Sequence, residues 1–401
     1  MITMSGDFAA ALRALMAQRG ISGTALARRV PCDRAYISRL VNGRQQPSAK
    51  IAGRIGEVLG ADSRLAALAA SRPGIADTGS SPDDETDAWE LARRTTASDV
   101  GSETLERLEQ AVDALAVAYP GTPPAELLTR IRRHLGYVSG LLDARKTLTE
   151  HRRLLVTGGW LSLLAATSAI DLRHWPAATA RLHTAAQLAR DTGHAEMAGW
   201  CLETQAWQVL TAGDYRQAVR LAQAAQRAAP RGSSAFIQAT SQEGRAWARL
   251  GERAETHDAL NRVHALASAL AIPEQPEHHY RYDPAKSEAY TATTLSWLGD
   301  PAAEDHARHV LRQLESPADG PPRPRRAASA RIDLSLALAA VGKPDEAGGV
   351  ALRAITSGRL VPSNYWRAGE VIEAVETHGV PEAAELPEAY REFCGSDGDP
   401  S

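Results

Sequence analysis

The sequence predicts an all-α protein: a small basic helical head joined to a long body of repeated helix pairs. Three observations predict it. The 401-residue chain is 44% hydrophobic but only 5% aromatic, so its core is built mainly from Ala, Leu and Val, and Ala and Leu are strong helix formers. Apolar residues recur at helical spacing almost throughout. The charge is divided: residues 1–70 carry nine Arg and one Lys against Asp7, Asp33, Glu57 and Asp62, a net +6, which leaves −9 on the other 331 residues. A basic head on an acidic body points to a polyanion partner for the head alone.

The head reads as five short helices. Phe8, Leu12 and Leu15 follow helical spacing, and Gly20 ends that helix. Ser22 caps a second helix carrying Leu26, Ala27 and Val30, and Pro31-Cys32 is the turn. Asp33 caps the third, its carboxylate accepting from first-turn N–H groups. In this helix, within "DRAYISRLVNGRQQPS" (33–48), Ile37 and Leu40 form an inward stripe, and Arg34, Ala35, Ser38, Arg39 and Asn42 point outward. Pro47-Ser48 opens a fourth helix with Ile51, Ile55 and Val58, ended by Gly60, and residues 63–70 form a fifth. Residues 71–87 mix Pro, Gly, Ser and Asp with almost no apolar content, the composition of a flexible linker. Fully extended, it reaches roughly 50 Å. The expected organisation is therefore 1–70 head, 71–87 linker and 88–394 repeat domain.

The body repeats. In "LTAGDYRQAVRLAQAAQRAAP", Gly213 precedes Ala218, Ala225 and Pro230. The same offsets hold small residues after Gly342 (Ala347, Ala354) and after Arg173 (Ala178, Ala185), and weaker copies turn at Gly251, Gly299 and Gly379. Seven residues before the first five turns stand Ala166, Ala206, Gly244, Ala292 and Ser335, all small. Small residues at fixed places let antiparallel helices approach closely, and stacked pairs build a superhelix with a concave face. The body resembles tetratricopeptide repeats, with the Gly-Asp-Tyr turn, both alanines and the trailing proline of 195–230 matching.

The head, through "GISGTALARRVPCDRAYISRLVNGRQQPSAKIAGRIGEVLG" (20–60), resembles the Cro/CI-type (XRE) helix-turn-helix family. That resemblance implies a five-helix lambda-repressor-like domain whose helix 33–42 enters the major groove of double-stranded DNA while 22–30 crosses the backbone. The residue chemistry agrees. An arginine fork pairs bidentately with guanine O6 and N7, and Arg34 and Arg39 are expected on one side of the helix. Ala35 suits a thymine methyl, Ser38 a base or phosphate, and Asn42 ends the reading helix. Arg44, Gln45 and Lys50 follow where phosphates pass. Ser22 and Thr24 start the scaffold helix, where Gly23-Thr24 stands in place of the family's usual Gln or Thr. Pro31 replaces the usual turn glycine. Asp33 is a cap or a base acceptor. Relatives bind two-fold operators as dimers about one turn apart, so a homodimer is expected, held together by the C-terminal part.

The repeat domain is expected to receive an effector: a peptide, a small molecule or a protein. The combination resembles bacterial regulators with an effector-receiving repeat domain, the peptide-pheromone receptors among them. With only Asn42, Asn261 and Asn364 in the chain, an asparagine clamp on a peptide backbone is not supported. "IPEQPEHHYRYDPAKSEAY" (272–290) interrupts the repeats. Its His279, Tyr280 and Tyr282 are candidates for an effector site or a dimer contact, or else a covering loop with Asp283-Pro284 as cap and first helical turn. Most tryptophans belong to the core, with one or two turned to the concave side.

Other classes find little support. Cys32, Cys201 and Cys394 are odd in number and far apart, fitting neither disulfides nor a metal pair. His306 with His309, and His257 with His264, share helix faces without completing a metal site. No cofactor is expected. No phosphate loop, Gly-x-Ser-x-Gly elbow or His-Glu-x-x-His is present, so no enzyme is expected. The opening "MITMSGDFAA" has no secretion-signal pattern, and "GWLSLLAATSAI" (159–170) is too short and hydroxylated to span a bilayer. The arginine bias, 41 of 45 basic residues, fits a GC-rich bacterial genome. The expected protein is a cytoplasmic, sequence-specific transcription regulator. The alternative is a repeat-bearing interaction adaptor with auxiliary DNA contact.

Overall fold

The computed structural model describes residues 6–30, 32–45, 47–61, 65, 67–69, 97–275, 277–316, 323–379 and 385–396. Pro31 and the expected linker, 71–87, lie outside the described residues. Among those described, the regular structure is entirely helical. The chain divides into two units, Met1–Val112 with Arg133–Gly158, and Asp113–Arg132 with Gly159–Ser401.

In the first unit, local capping sets the helix starts. Helices α1 (Gly6–Arg19), α2 (Gly23–Arg29), α3 (Arg34–Val41) and α4 (Ala49–Leu59) follow the order read from the sequence. Ser22 Oγ accepts from the Ala25 amide at 3.2 Å, Asp33 from the Tyr36 amide, and Ser48 Oγ from the Ile51 amide at 3.3 Å. Gly20, Gly43 and Gly60 take the left-handed conformation that ends a helix. Leu65 and residues 67–69 of the expected fifth helix are helical. The core gathers Phe8, Leu12, Leu26, Ile37, Leu40, Ile51 and Ile55 as expected, and adds Tyr36. Helices α5 (Ser102–Ala118), α6 (Pro124–Leu142) and α7 (Leu148–Asp171) each contribute residues to both units.

The α7 helix is longer than its apolar core suggested. By length and composition this 24-residue helix could cross a membrane, but 83% of its apolar 18-residue window is buried within the fold. Its hydroxyls bond back along the helix, Thr167 Oγ1 to Leu163 O and Ser168 Oγ to Leu164 O, both at 3.0 Å. That is the behaviour of a core helix.

The second unit stacks helix pairs. After α7 come α8 (Trp175–Thr192), α9 (Ala195–Thr211), α10 (Tyr215–Ala228), α11 (Ser234–Leu250), α12 (Arg253–Ala267), α13 (Pro284–Leu298), α14 (Ala303–Glu315), α15 (Pro324–Ala340), α16 (Pro344–Ile355), α17 (Tyr365–Glu376) and α18 (Leu386–Ser396). Each expected turn residue lies inside a pair, and all six have positive φ, including Arg173 at 59°. The first helices of successive pairs, α9, α11, α13, α15 and α17, pack side by side, with second helices behind them. The small residues do what the repeat requires. Ala166, Ala178, Ala185, Ala206, Ala218, Ala225, Ala347 and Ala354 are fully buried. At Gly199 a Cβ would stand 2.6 Å from the Ala229 Cβ, so α9 and the end of α10 meet there without side-chain separation.

Arg173 is exposed and is the one non-glycine among these left-handed turns. Such a conformation costs an L-residue roughly 1–2 kcal/mol, partly offset by the greater unfolded-state freedom of glycine. Arg173→Gly is expected to stabilise the second unit by about 0.5–1 kcal/mol, measured as a shift of the urea midpoint; a lower midpoint would refute the strain.

Candidate functional site

Helix α3 presents two different faces. Tyr36, Ile37 and Leu40 are buried, whereas Arg34, Ala35, Ser38 and Asn42 are exposed. Five residues turn a helix by about 140° beyond one full turn, so Arg34 and Arg39 do not share surroundings as expected. Arg34 is open. Arg39 is half-buried over the Tyr36 ring at 5.9 Å, and its Nε donates to Gln45 Oε1 at 2.7 Å. Gln45 Nε2 in turn donates to Ser98 O at 2.6 Å. Gln45, expected at a phosphate, instead orients Arg39 and is itself held by a segment 53 residues away. Arg44 is exposed and Thr24 half-buried. Asn42 Nδ2 donates to Ser38 Oγ at 3.3 Å.

Residues 97–101 and the end of α6 complete this unit. Asp33 acts as the cap of α3, and a Cβ on Gly101 would overlap its carboxylate, so glycine is required where that segment passes. Asp99 is buried beside the Tyr36 and Ser48 hydroxyls; burial raises its carboxyl and these hydroxyls oppose the rise. Burial likewise pushes the Cys32 thiol up to about 12, which leaves it an inert packing group. Lys50 Nζ lies 3.2 Å from Asp143 Oδ1, with Arg54 3.4 Å from the other oxygen. The Lys50 hydrogen bond holds Asp143 below the usual carboxylate range. The contributions of Ser98, Asp99, Gly101 and Asp143 were not read from the sequence, where no local pattern marks them.

The second unit holds a cavity of about 260 Å³ lined by the first helices of successive pairs. Trp200, Glu203 and Trp207 line it from α9, Gln238, Gln242 and Arg245 from α11, Tyr290 and Trp297 from α13, and Arg325 and Asp333 from α15. Helical spacing accounts for the selection: 238, 242 and 245 occupy one stripe of α11. Most charges here are matched. Asp171, fully buried, accepts from Arg325 at 2.6 Å, Tyr119 Oη at 2.8 Å and Ser363 Oγ at 3.0 Å. Asp333 pairs with Arg367 and accepts from Thr293 Oγ1 at 2.7 Å. Glu277 binds Arg323 at 3.0 Å and Arg326 at 2.9 Å. Lys286 donates to the carbonyls of His278 and Arg281, both at 3.0 Å, and burial lowers its ammonium to about 8.

The 272–290 segment folds inward. Of its candidates, His279 lines the cavity, with burial holding its imidazole well below its ordinary value. Tyr280 is buried with its ring 4.8 Å from Trp160 and 5.3 Å from Trp200. Tyr282 is buried and shares a 3.1 Å hydrogen bond with Ser241. Asp283 caps α13 with Pro284 in its first turn. Trp200, Trp207, Trp297 and Trp366 all border the cavity, more tryptophans than the one or two expected. Trp200 and Trp207 are seven residues apart on one stripe of α9 and the other two stand on separate helices, so only the stacking shows that they face one cavity.

Glu203 carries a pH signature. Burial raises its carboxyl from 4.5 to about 7, against the Gln238 amide, which donates at 3.2 Å. The folded state holds this proton more tightly than the unfolded chain, so its stabilisation is complete below about 4.5 and lost as pH rises through about 7. Glu203→Gln is expected to remove this fall in unfolding free energy between those values. Parallel slopes for variant and parent in pH-dependent urea melts would refute it.

Residues 7–69 match the family described as a helix-turn-helix domain. No curated protein matches the chain. Among solved structures, the chain is similar to PlcR of Bacillus thuringiensis, crystallised in complex with the peptide PapR7 and DNA. The identity is 14% over 96% of this chain and 92% of that one, with a TM-score of 0.26, too low to transfer positions. The matched segment and the capped α2–turn–α3 geometry define the class: a DNA-binding transcription regulator with a helix-turn-helix head and a helical-repeat body.

Proposed function

We propose that this protein is a sequence-specific transcription regulator of the XRE type that reads a two-fold operator as a homodimer in the bacterial cytoplasm. Its repeat unit receives an effector that alters operator binding. The observation that carries the DNA reading is the exposed face of α3: Arg34, Ala35, Ser38 and Asn42 stand open, while Tyr36, Ile37 and Leu40 anchor the helix from behind. Donors of this kind on a rigidly seated helix suit the edges of base pairs. Ser22 and Thr24 stand where a phosphate meets the start of α2, and Arg44 and Lys50 flank the reading helix. The proposed organisation keeps 1–70 as the DNA-reading head, 71–87 as linker and 88–394 as the part that dimerises and senses.

Selection of bound fragments from random DNA by the purified full chain tests this reading. A symmetric site with half-sites about one helical turn apart is expected. Binding without sequence preference would overturn it in favour of an adaptor that touches DNA only through its charge. A monomeric mass by light scattering at micromolar concentration would overturn the homodimer.

Asp143 sits on Lys50 and beside Arg54, where an operator phosphate is expected to compete with it. Asp143→Asn is therefore expected to tighten binding to all DNA sequences alike and to steepen the dependence of log affinity on log salt by roughly one. An unchanged salt slope would show that Lys50 makes no phosphate contact.

A further inference from the structure

Among the described residues, two cations of the second unit's cavity have no carboxylate partner: Lys286, whose ammonium is held by the carbonyls of His278 and Arg281, and Arg245, which has no such bonds. Asp171, Asp333 and Glu277 are matched by Arg325, Arg367 and Arg326. Among the described residues, no carboxylate lies within ion-pair distance of Arg245, and its Nε is buried without a hydrogen-bond partner. Its guanidinium is stacked instead, 5.2 Å from the Tyr290 ring centre and 5.4 Å from that of Trp297. Stacking on ring faces leaves the in-plane N–H donors of a guanidinium to reach other groups. Gln242, one helical turn before Arg245, is fully buried and lines the same cavity, yet neither end of its amide has a partner among the described residues. The indole N–H groups of Trp200 and Trp366, also lining it, lack partners as well. Buried polar atoms left without partners are costly, so a cluster of them around a cavity calls for a group that completes them.

The chemistry of that group follows from the walls. A single unmatched guanidinium suits one negative charge, and its planar fork suits a carboxylate held by two hydrogen bonds. The aromatic rings around it suit a flat, apolar body. About 260 Å³ suits a compact molecule of one or two rings. We propose that this cavity binds a small planar aromatic monocarboxylate, with its carboxylate on Arg245 and its ring against the tryptophan wall. Gln242 supplies a donor and an acceptor to polar substituents on that ring. The assignment names the effector class for the proposed sensing unit and rests on that reading.

Calorimetric titration of the full chain without DNA, using 2-naphthoate and its neutral isostere 2-naphthamide as probes, tests the assignment. The carboxylate is expected to bind about tenfold or more tightly than the amide, as charge-assisted hydrogen bonds do relative to neutral ones. Arg245→Gln, with its thermal melt checked against the parent, is expected to reduce that preference to about twofold or less. Arg245→Lys, which keeps the charge but loses the fork, is expected to retain an intermediate preference. Equal binding of both probes by the parent, binding of neither, or an undiminished preference in a folded Arg245→Gln variant would overturn the proposal. If both variants fail to fold, the acid–amide comparison on the parent alone decides. Repeating the titration with selected operator DNA separates the two readings. Binding of 2-naphthoate with unchanged operator affinity would defeat the sensing role and leave the ligand class standing.

Discussion

Asp171→Ala is expected to destabilise the second unit by about 3–5 kcal/mol, the usual result of removing one partner of a buried ion pair. The carboxylate is fully buried and accepts three hydrogen bonds, from Arg325, Tyr119 and Ser363. Arg325 also stacks over the Tyr119 ring at 4.7 Å, so its guanidinium has little room to turn towards water. With the carboxylate gone, a buried cation is left without a counter-charge, and two hydroxyl donors lose their acceptor. The three partners come from sequence positions 119, 325 and 363, so the loss spreads across the repeat stack rather than fraying one end. The double variant Asp171→Leu with Arg325→Leu is expected to recover most of the stability, because the two desolvated charges disappear together. Urea unfolding followed by tryptophan fluorescence measures both. A single variant within about 1 kcal/mol of the parent, the range of a surface pair, would show that Asp171 is not integral to the stack.

Arg39→Ala is expected to weaken operator binding by about 1–3 kcal/mol and to relax preference at a single base pair. Arg44→Ala is expected to weaken specific and random DNA equally and to lower the salt slope by roughly one. The contrast comes from placement. Arg39 is held by Gln45, which occupies its Nε and leaves the two terminal nitrogens of the fork as the reading edge. Arg44 is exposed beyond the end of α3. Gln45→Ala is accordingly expected to lose part of the Arg39 preference without a comparable change in salt slope. Affinities for the selected operator, for its single-base variants and for random duplex measure all three. Equal loss on every duplex for Arg39→Ala and Arg44→Ala would overturn the assignment.

Several features of this chain were legible before any coordinates, because they are local. Caps depend on three or four consecutive residues, and Ser22, Asp33, Ser48 and Asp283 each accept from the amide their position implied or its neighbour. The repeat was legible because helix pairs need small residues at constant offsets from each turn, and Ala178, Ala218 and Ala347 are all buried where those offsets put them. The positive φ of Arg173 follows from the same register: its neighbours demand the turn even though its own side chain disfavours it.

What composition, spacing and capping determine for this protein is its helices, the recurrence of its helix pairs and a helix with a donor-bearing face. Tertiary structure alone decides what those donors and charges meet. Tyr36 belongs to neither the inward nor the outward set read from the sequence, yet is buried beside Asp99, which lies 63 positions further along the chain. Lys50 meets Asp143, and Arg39 reaches Ser98 through Gln45. Arg245, Asp171 and Arg325 each sit in a polar helical stripe that, in one dimension, is indistinguishable from a solvated face. Only the stacking of first helices turns those stripes inward and brings charges from distant helices within hydrogen-bond reach. The physical reason is that helical periodicity is a local geometric constraint, whereas the pairing of two buried charges depends on where every intervening helix has been placed.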